Sequence, residues 1–81
     1  MRRVSGSADS EGHLRSVGSA IRRVRESQGF SQEELAHLAQ IDRSHMGKIE
    51  RGERNVTLLN LIKIAQALRA EPSTVLKEAG L

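Results

Sequence analysis

Residues 31–52 read SQEELAHLAQIDRSHMGKIERG, from Ser31 to Gly52, and their spacing describes two short helices across a tight turn. In Ser31-Gln32-Glu33-Glu34 the serine hydroxyl can accept from the amide three residues on, while the Glu34 carboxylate can reach back to the serine amide. Leu35, Ala36, Leu38 and Ala39 then share one side at helical spacing, leaving Gln32, Glu33, His37 and Gln40 to solvent. A second start follows at Asp42, whose charge suits the positive end of a helix; Ile41 before it can pack on Met46 as a hydrophobic staple. At ~100° per residue, Met46, Ile49 and Glu50 point inward, and Arg43, Ser44, Gly47, Lys48 and Arg51 form one contiguous outward arc.

Two helices joined by a turn of three or four residues, the second presenting polar side chains, is how a helix-turn-helix places a recognition helix in the major groove. A plain helical hairpin with a solvated charged face has the same geometry, so residue identity must decide. The pattern S-Q-E-x-L-A, a turn, then a helix closing in I-E-R-G resembles the phage-repressor and Cro-like helix-turn-helix family. The continuation Glu53-Arg54-Asn55-Val56-Thr57-Leu58-Leu59-Asn60-Leu61 is similar to the small controller proteins of restriction-modification systems. The likeness spans residues 14–79. It implies an all-α, five-helix, lambda-repressor-like fold and a transcription regulator that binds double-stranded DNA in the major groove. It also admits a contact with RNA polymerase. One departure stands out: the turn position usually held by glycine is Gln40. A positive φ there would cost on the order of 1 kcal/mol.

A chain of 81 residues makes one small domain, close to the size at which a single core leaves only a few kcal/mol of net stability and oligomerisation helps. There is no cysteine, which fits a reducing cytoplasm and leaves no thiolate metal site. Neither an export signal nor a membrane span is expected, because the first residues, MRRVSGSADSEG, lack an apolar h-region and no stretch approaches ~18 apolar residues. The formal charge of +3 is modest, but Arg43, Lys48, Arg51 and Arg54 concentrate it at the proposed DNA face. Phe30 is the one aromatic residue, which argues against base stacking on single strands or RNA.

Residues 1–12 lack periodicity and are expected to be a flexible tail, with a basic arm of Arg2 and Arg3 touching DNA as the functional alternative. Residues 13–81 form the helix-turn-helix domain. Its first helix carries Leu14, Val17, Ala20 or Ile21, and Val24 at helical spacing, weakened at Gly18 by roughly 1 kcal/mol and stopped by Gly29. Phe30 is expected to plug the core. After a connector from Gly52 to Val56, Thr57 caps a fourth helix with Leu58, Leu61, Ile64 or Ala65, and Leu68 as its core stripe. Pro72 opens a short last helix over Ser73 to Ala79. The resemblance further implies that Arg25 pairs with Glu50, and the inward angle of Glu50 makes such a pair reasonable.

Arg43 and Lys48 are the expected base readers, since both lie on the outward arc and can donate to guanine O6 and N7; Ser44 is a shorter reader or phosphate donor. Gln32, in the first turn of its helix, is placed to bind a phosphate or to brace the recognition helix. His45, Arg51, Arg54 and Asn55 are further phosphate candidates. Leu59, Ile62, Val75 and Leu76 give the last two helices more apolar width than one small core needs, and with the family likeness they point to a symmetric homodimer. Such a dimer sets two recognition helices about 34 Å apart on a pseudo-palindromic site.

Two other binding readings compete. One is an antitoxin that holds a toxin and binds its own promoter, for which an added toxin-wrapping segment would be expected and none is evident before Leu81. The other is a helical protein-interaction domain without DNA activity. Catalysis and cofactor use are not expected: His13, His37 and His45 lack one-face spacing for a metal, and no P-loop, dinucleotide fingerprint or nucleophile elbow is present.

Overall fold

The computed structural model describes residues 9–81, so the Arg2 and Arg3 arm lies outside the described residues. The chain forms α1 (His13–Ser27), α2 (Gln32–Ala39), α3 (Arg43–Glu50), α4 (Leu58–Ala67) and α5 (Pro72–Glu78). Among the described residues there is no strand, and no helix is long and apolar enough to cross a membrane. Helix α1 packs on α3 and α5, α2 on α3 and α4, and α4 on α5.

Each helix start has a local cause. Asp9 Oδ2 accepts from the Leu14 amide at 2.6 Å, supplying from five residues upstream the cap that Gly12 cannot give α1. The capping box of α2 is complete, with Glu34 N–H donating to Ser31 Oγ at 3.0 Å and Ser31 N–H to Glu34 Oε1 at 2.8 Å. Thr57 Oγ1 caps α4 through the Asn60 amide at 3.1 Å. Pro72 opens α5, where its missing amide hydrogen costs nothing. Gln40 ends α2 in the left-handed region at φ 57°, without glycine, while its amide still reaches the His37 carbonyl at 3.1 Å. Arg69 does the same after α4 at φ 54°.

The core gathers Ile21 from α1, Leu35 from α2, Met46 and Ile49 from α3, Ile64 and Leu68 from α4, and Val75 from α5, all essentially solvent-free. Burying a side chain of this size contributes about 1.5–3 kcal/mol, so no single helix carries the fold. Phe30, expected as a plug, is only half-buried and packs on the edge of this cluster.

Three apolar assignments are corrected. Leu38 is 51% exposed, because it lies ~60° behind Leu35 on the helical wheel, on the side away from Ala36 and Ala39. Leu58 is 69% exposed; it stands one turn ahead of Leu61, and none of the described residues covers α4 that far out. Val75, expected on a partner surface, is fully buried in the core and has no surface to offer.

Candidate nucleic-acid interface

Asp42 fixes the start of α3. Its Oδ2 accepts from the Ser44 amide at 3.1 Å, the His45 amide at 3.4 Å and the Ser44 hydroxyl at 2.7 Å. The Ser44 hydroxyl, then the His45 amide, hold the Asp42 carboxyl below its ordinary range. Met46, Ile49 and Glu50 face inward and are buried, so the rotation of α3 about its own axis is set.

Glu50 adds a polar lock. Its Oε2 accepts from Arg25 Nε at 2.8 Å, and its Oε1 from Arg25 Nη2 at 3.0 Å and from Gln32 Nε2 at 3.2 Å. Arg25 also donates through Nη1 to the Phe30 carbonyl at 2.9 Å. One carboxylate therefore ties together α1, α2 and α3, with the turn between the first two. The hydrogen bond to Glu50 raises the Arg25 guanidinium above its ordinary value although burial opposes the charge. No buried side-chain polar atom among the described residues is left without a partner.

The opposite side of α3 is open. Arg43, Ser44, Gly47, Lys48 and Arg51, together with Gln32 at the start of α2, line a single shallow groove. Arg43 and Ser44 are exposed and Lys48 is half-buried, so the three expected base readers share one accessible surface. Ser44 spends its hydroxyl hydrogen on Asp42 and keeps oxygen lone pairs for an outside donor. Of the two roles open to Gln32, its Nε2 fills that of a brace on Glu50, and a second amide hydrogen remains. Arg51, Arg54 and Asn55 are exposed past the C-terminal end of α3, and His45 is half-buried at its start. Of the remaining apolar candidates, Leu59 is 71% exposed, whereas Ile62 and Leu76 are half-buried.

Two close approaches were not legible in the chain. A Cβ on Gly18 would run into the Ile49 carbonyl oxygen and lie 2.5 Å from that of Glu50, so α1 meets the end of α3 backbone to backbone. Gly52, at φ 75°, sits with its Cβ position 2.6 Å from the Arg15 Cα. Glu53 was missed as well: it accepts from Arg51 Nε at 2.6 Å. The alternation of acids and bases in Arg51-Gly52-Glu53-Arg54 was the available signal.

A bundle of five helices whose second and third form a braced pair with one cationic open face defines a helix-turn-helix protein, and the chain belongs to the helix-turn-helix family, whose model matches residues 21–75. Within it, the chain is 41% identical over 61 residues to the control protein C.SmaI of Serratia marcescens, covering 75% of this chain and 73% of that one. It superposes on the restriction-modification controller protein C.AhdI of Aeromonas hydrophila with a TM-score of 0.75 and 47% identity, over 76% of this chain and 94% of that one. The biofilm regulator SinR, solved in complex with DNA, is similar at a TM-score of 0.70 and 31% identity, over 74% of this chain and 97% of that one.

Proposed function

We propose that this protein is a sequence-specific regulator of transcription of the restriction-modification controller kind, binding double-stranded DNA as a homodimer on a pseudo-palindromic operator. The observation that carries the reading is the shared groove of Arg43, Ser44 and Lys48 on a helix whose other side is locked by Met46, Ile49 and Glu50. A rigid inner face lets the outer one present donors in fixed register, which direct readout of base edges requires. Arg43, with its planar fork, takes guanine O6 and N7; Lys48 donates to a neighbouring base, and Ser44, its hydroxyl hydrogen held by Asp42, accepts from the next.

Phosphates flank this reading head. Gln32 uses the amide hydrogen not given to Glu50, and His45, Arg51, Arg54 and Asn55 serve the two ends of α3. Leu59, Ile62 and Leu76 form the dimer contact. A contact with RNA polymerase belongs to the same proposal and would use a surface away from α3, which the duplex covers.

The test is selection: duplexes of random sequence are bound to the purified protein in the presence of competitor DNA, amplified and sequenced. A two-fold-related motif with half-sites one helical turn apart is the expected result. Recovery of no motif would remove the sequence-specific reading.

A further inference from the structure

The one side-chain partner of the Glu53 carboxylate among the described residues is Arg51. Glu53 lies three residues past Glu50, the last residue of α3, near a helix end whose dipole by itself favours cations over a carboxylate. Its backbone is nonetheless pinned there. The Glu53 amide donates back to the Lys48 carbonyl at 2.8 Å and the Gly52 amide to that of Ile49 at 3.0 Å, a helix-ending pair of bonds built on the left-handed Gly52. Gly52 in turn is pressed against the α1 backbone at Arg15.

The carboxylate so placed meets Arg51, one of the residues lining the groove. Arg51 Nε donates to Glu53 Oε2 at 2.6 Å, and Nη2 lies 3.5 Å from Oε1. The same side of a guanidinium engages phosphate oxygens in this two-point manner. The Arg51 hydrogen bond, then the positive charges of Arg51, Arg54 and Lys48, hold the Glu53 carboxyl below its ordinary range.

We propose that Glu53 is an autoinhibitory counter-anion: in the free protein it occupies the face of Arg51 that would hold a DNA phosphate, and duplex binding displaces it. The inference rests on the DNA-binding reading above and adds a release step to it. The two side chains are 57% and 50% exposed, so the pair is cheap to open, and the effect on affinity is that of a solvent-exposed ion pair, about two- to fivefold.

A double-mutant cycle tests it. Wild type, Glu53→Gln, Arg51→Gln and the double variant are titrated against a short fluorescent duplex of random sequence, and melting temperatures are recorded in parallel. Glu53→Gln is expected to tighten binding about two- to fivefold when Arg51 is present and to leave it unchanged in the Arg51→Gln background. Equal tightening in both backgrounds would mean a general charge effect and overturn the proposal. So would weaker binding by Glu53→Gln at an unchanged melting temperature, which would make the carboxylate a guide for Arg51 rather than its competitor. If wild type binds no duplex at all, the DNA reading fails; if it binds and the cycle is additive, only the role of Glu53 does.

Discussion

Arg25 and Glu50 meet in a two-point pair, Nε to Oε2 at 2.8 Å and Nη2 to Oε1 at 3.0 Å, with only 10% and 3% of their side chains exposed. Removing two ions from water is costly, so the pair as a whole is weak evidence for stability, but half of it is far worse than none. Arg25→Ala is expected to destabilise the fold by about 3–5 kcal/mol and to lose DNA binding through loss of structure. Arg25→Met/Glu50→Leu should recover most of that stability. Urea unfolding of the single and double variants checks both, and an Arg25→Ala melt equal to wild type would show the lock to be dispensable.

Two helical glycines separate by sign. Both lower helix propensity by roughly 1 kcal/mol relative to alanine, yet they meet different neighbours. At Gly18 a methyl group strikes the backbone carbonyls that end α3, and backbone cannot step aside, so Gly18→Ala should destabilise by about 1–3 kcal/mol. At Gly47 the nearest atoms are Arg51 Nη1 at 3.1 Å and Gln32 Oε1 at 3.2 Å, the far ends of flexible side chains. Gly47→Ala should therefore raise the melting temperature where Gly18→Ala lowers it, by about 4–8 °C per kcal/mol for a chain of this size. A rise for Gly18→Ala would mean that α1 and α3 are not in backbone contact, and a fall for Gly47→Ala that the Arg51 and Gln32 side chains do not give way.

What the chain disclosed in advance was largely what depends on near neighbours. Ser31 and Glu34 are three residues apart, as are Thr57 and Asn60, so their capping bonds follow from local geometry. At Gln40 the family likeness marks a turn position usually held by glycine, and the backbone there is left-handed; nothing marks Arg69, since arginine is no turn former and no short-range pattern points to it. Periodicity indicates which side of a helix is apolar but not how far the neighbouring helices cover it. That is why spacing alone puts Leu38 and Leu58 inside and leaves Val75 for a partner surface. In sequence Gly18 is only a local weakness, because the Ile49 and Glu50 carbonyls it meets are remote along the chain. Arg25 with Glu50 came from family likeness, and spacing within one helix could not have found a pair between two. The groove itself was legible, since Arg43, Ser44, Gly47 and Lys48 lie on α3 with Arg51 capping its end, and only Gln32 comes from another helix.

Acid should unfold the protein in part through its helix caps. Glu34 and Asp42 are both held below their ordinary values of 4.5 and 3.8, the first by the Ser31 amide and the second by the Ser44 hydroxyl. A carboxyl with a depressed native pKa contributes stability that is complete above its unfolded pKa and is lost as pH falls through the native one. The loss therefore opens as pH drops past the mid-fours and continues below the ordinary aspartate value. Asp42→Asn keeps a capping acceptor but does not titrate. Its melting temperature should change less than that of wild type across this window, while the two track each other above pH 6. Parallel curves throughout would place the acid-sensitive groups elsewhere.

Arg43 reads a base in the proposed complex, so its loss should be felt on the selected duplex and hardly at all on random DNA. Arg43→Ala is expected to cost about 1–3 kcal/mol of cognate binding and to relax preference at one base pair. Arg54→Ala should instead weaken both duplexes alike and lower the slope of log K against log salt by about one unit. Salt titrations of both variants on both duplexes separate the roles. An equal loss on the two duplexes for Arg43→Ala would move that residue from the base readers to the phosphate contacts.

Leu59 and Ile62 lie three residues apart on α4, turned from its core line of Leu61, Ile64 and Leu68. A leucine that is 71% exposed beside a half-buried isoleucine leaves apolar area in water that a second copy would cover. With Leu76 as the third member and Val75 excluded by its burial, the patch is small. The proposed dimer should therefore dissociate on insertion of a single charge. Leu59→Glu is expected to sediment as a monomer at concentrations where wild type is dimeric and to melt close to it at low protein concentration, because Leu59 adds nothing to the monomer core. Its affinity for a two-half-site duplex should fall far more than for a single half-site, since the second recognition helix no longer arrives with the first. Wild type sedimenting as a monomer at high micromolar concentration would leave these leucines without the partner assigned to them.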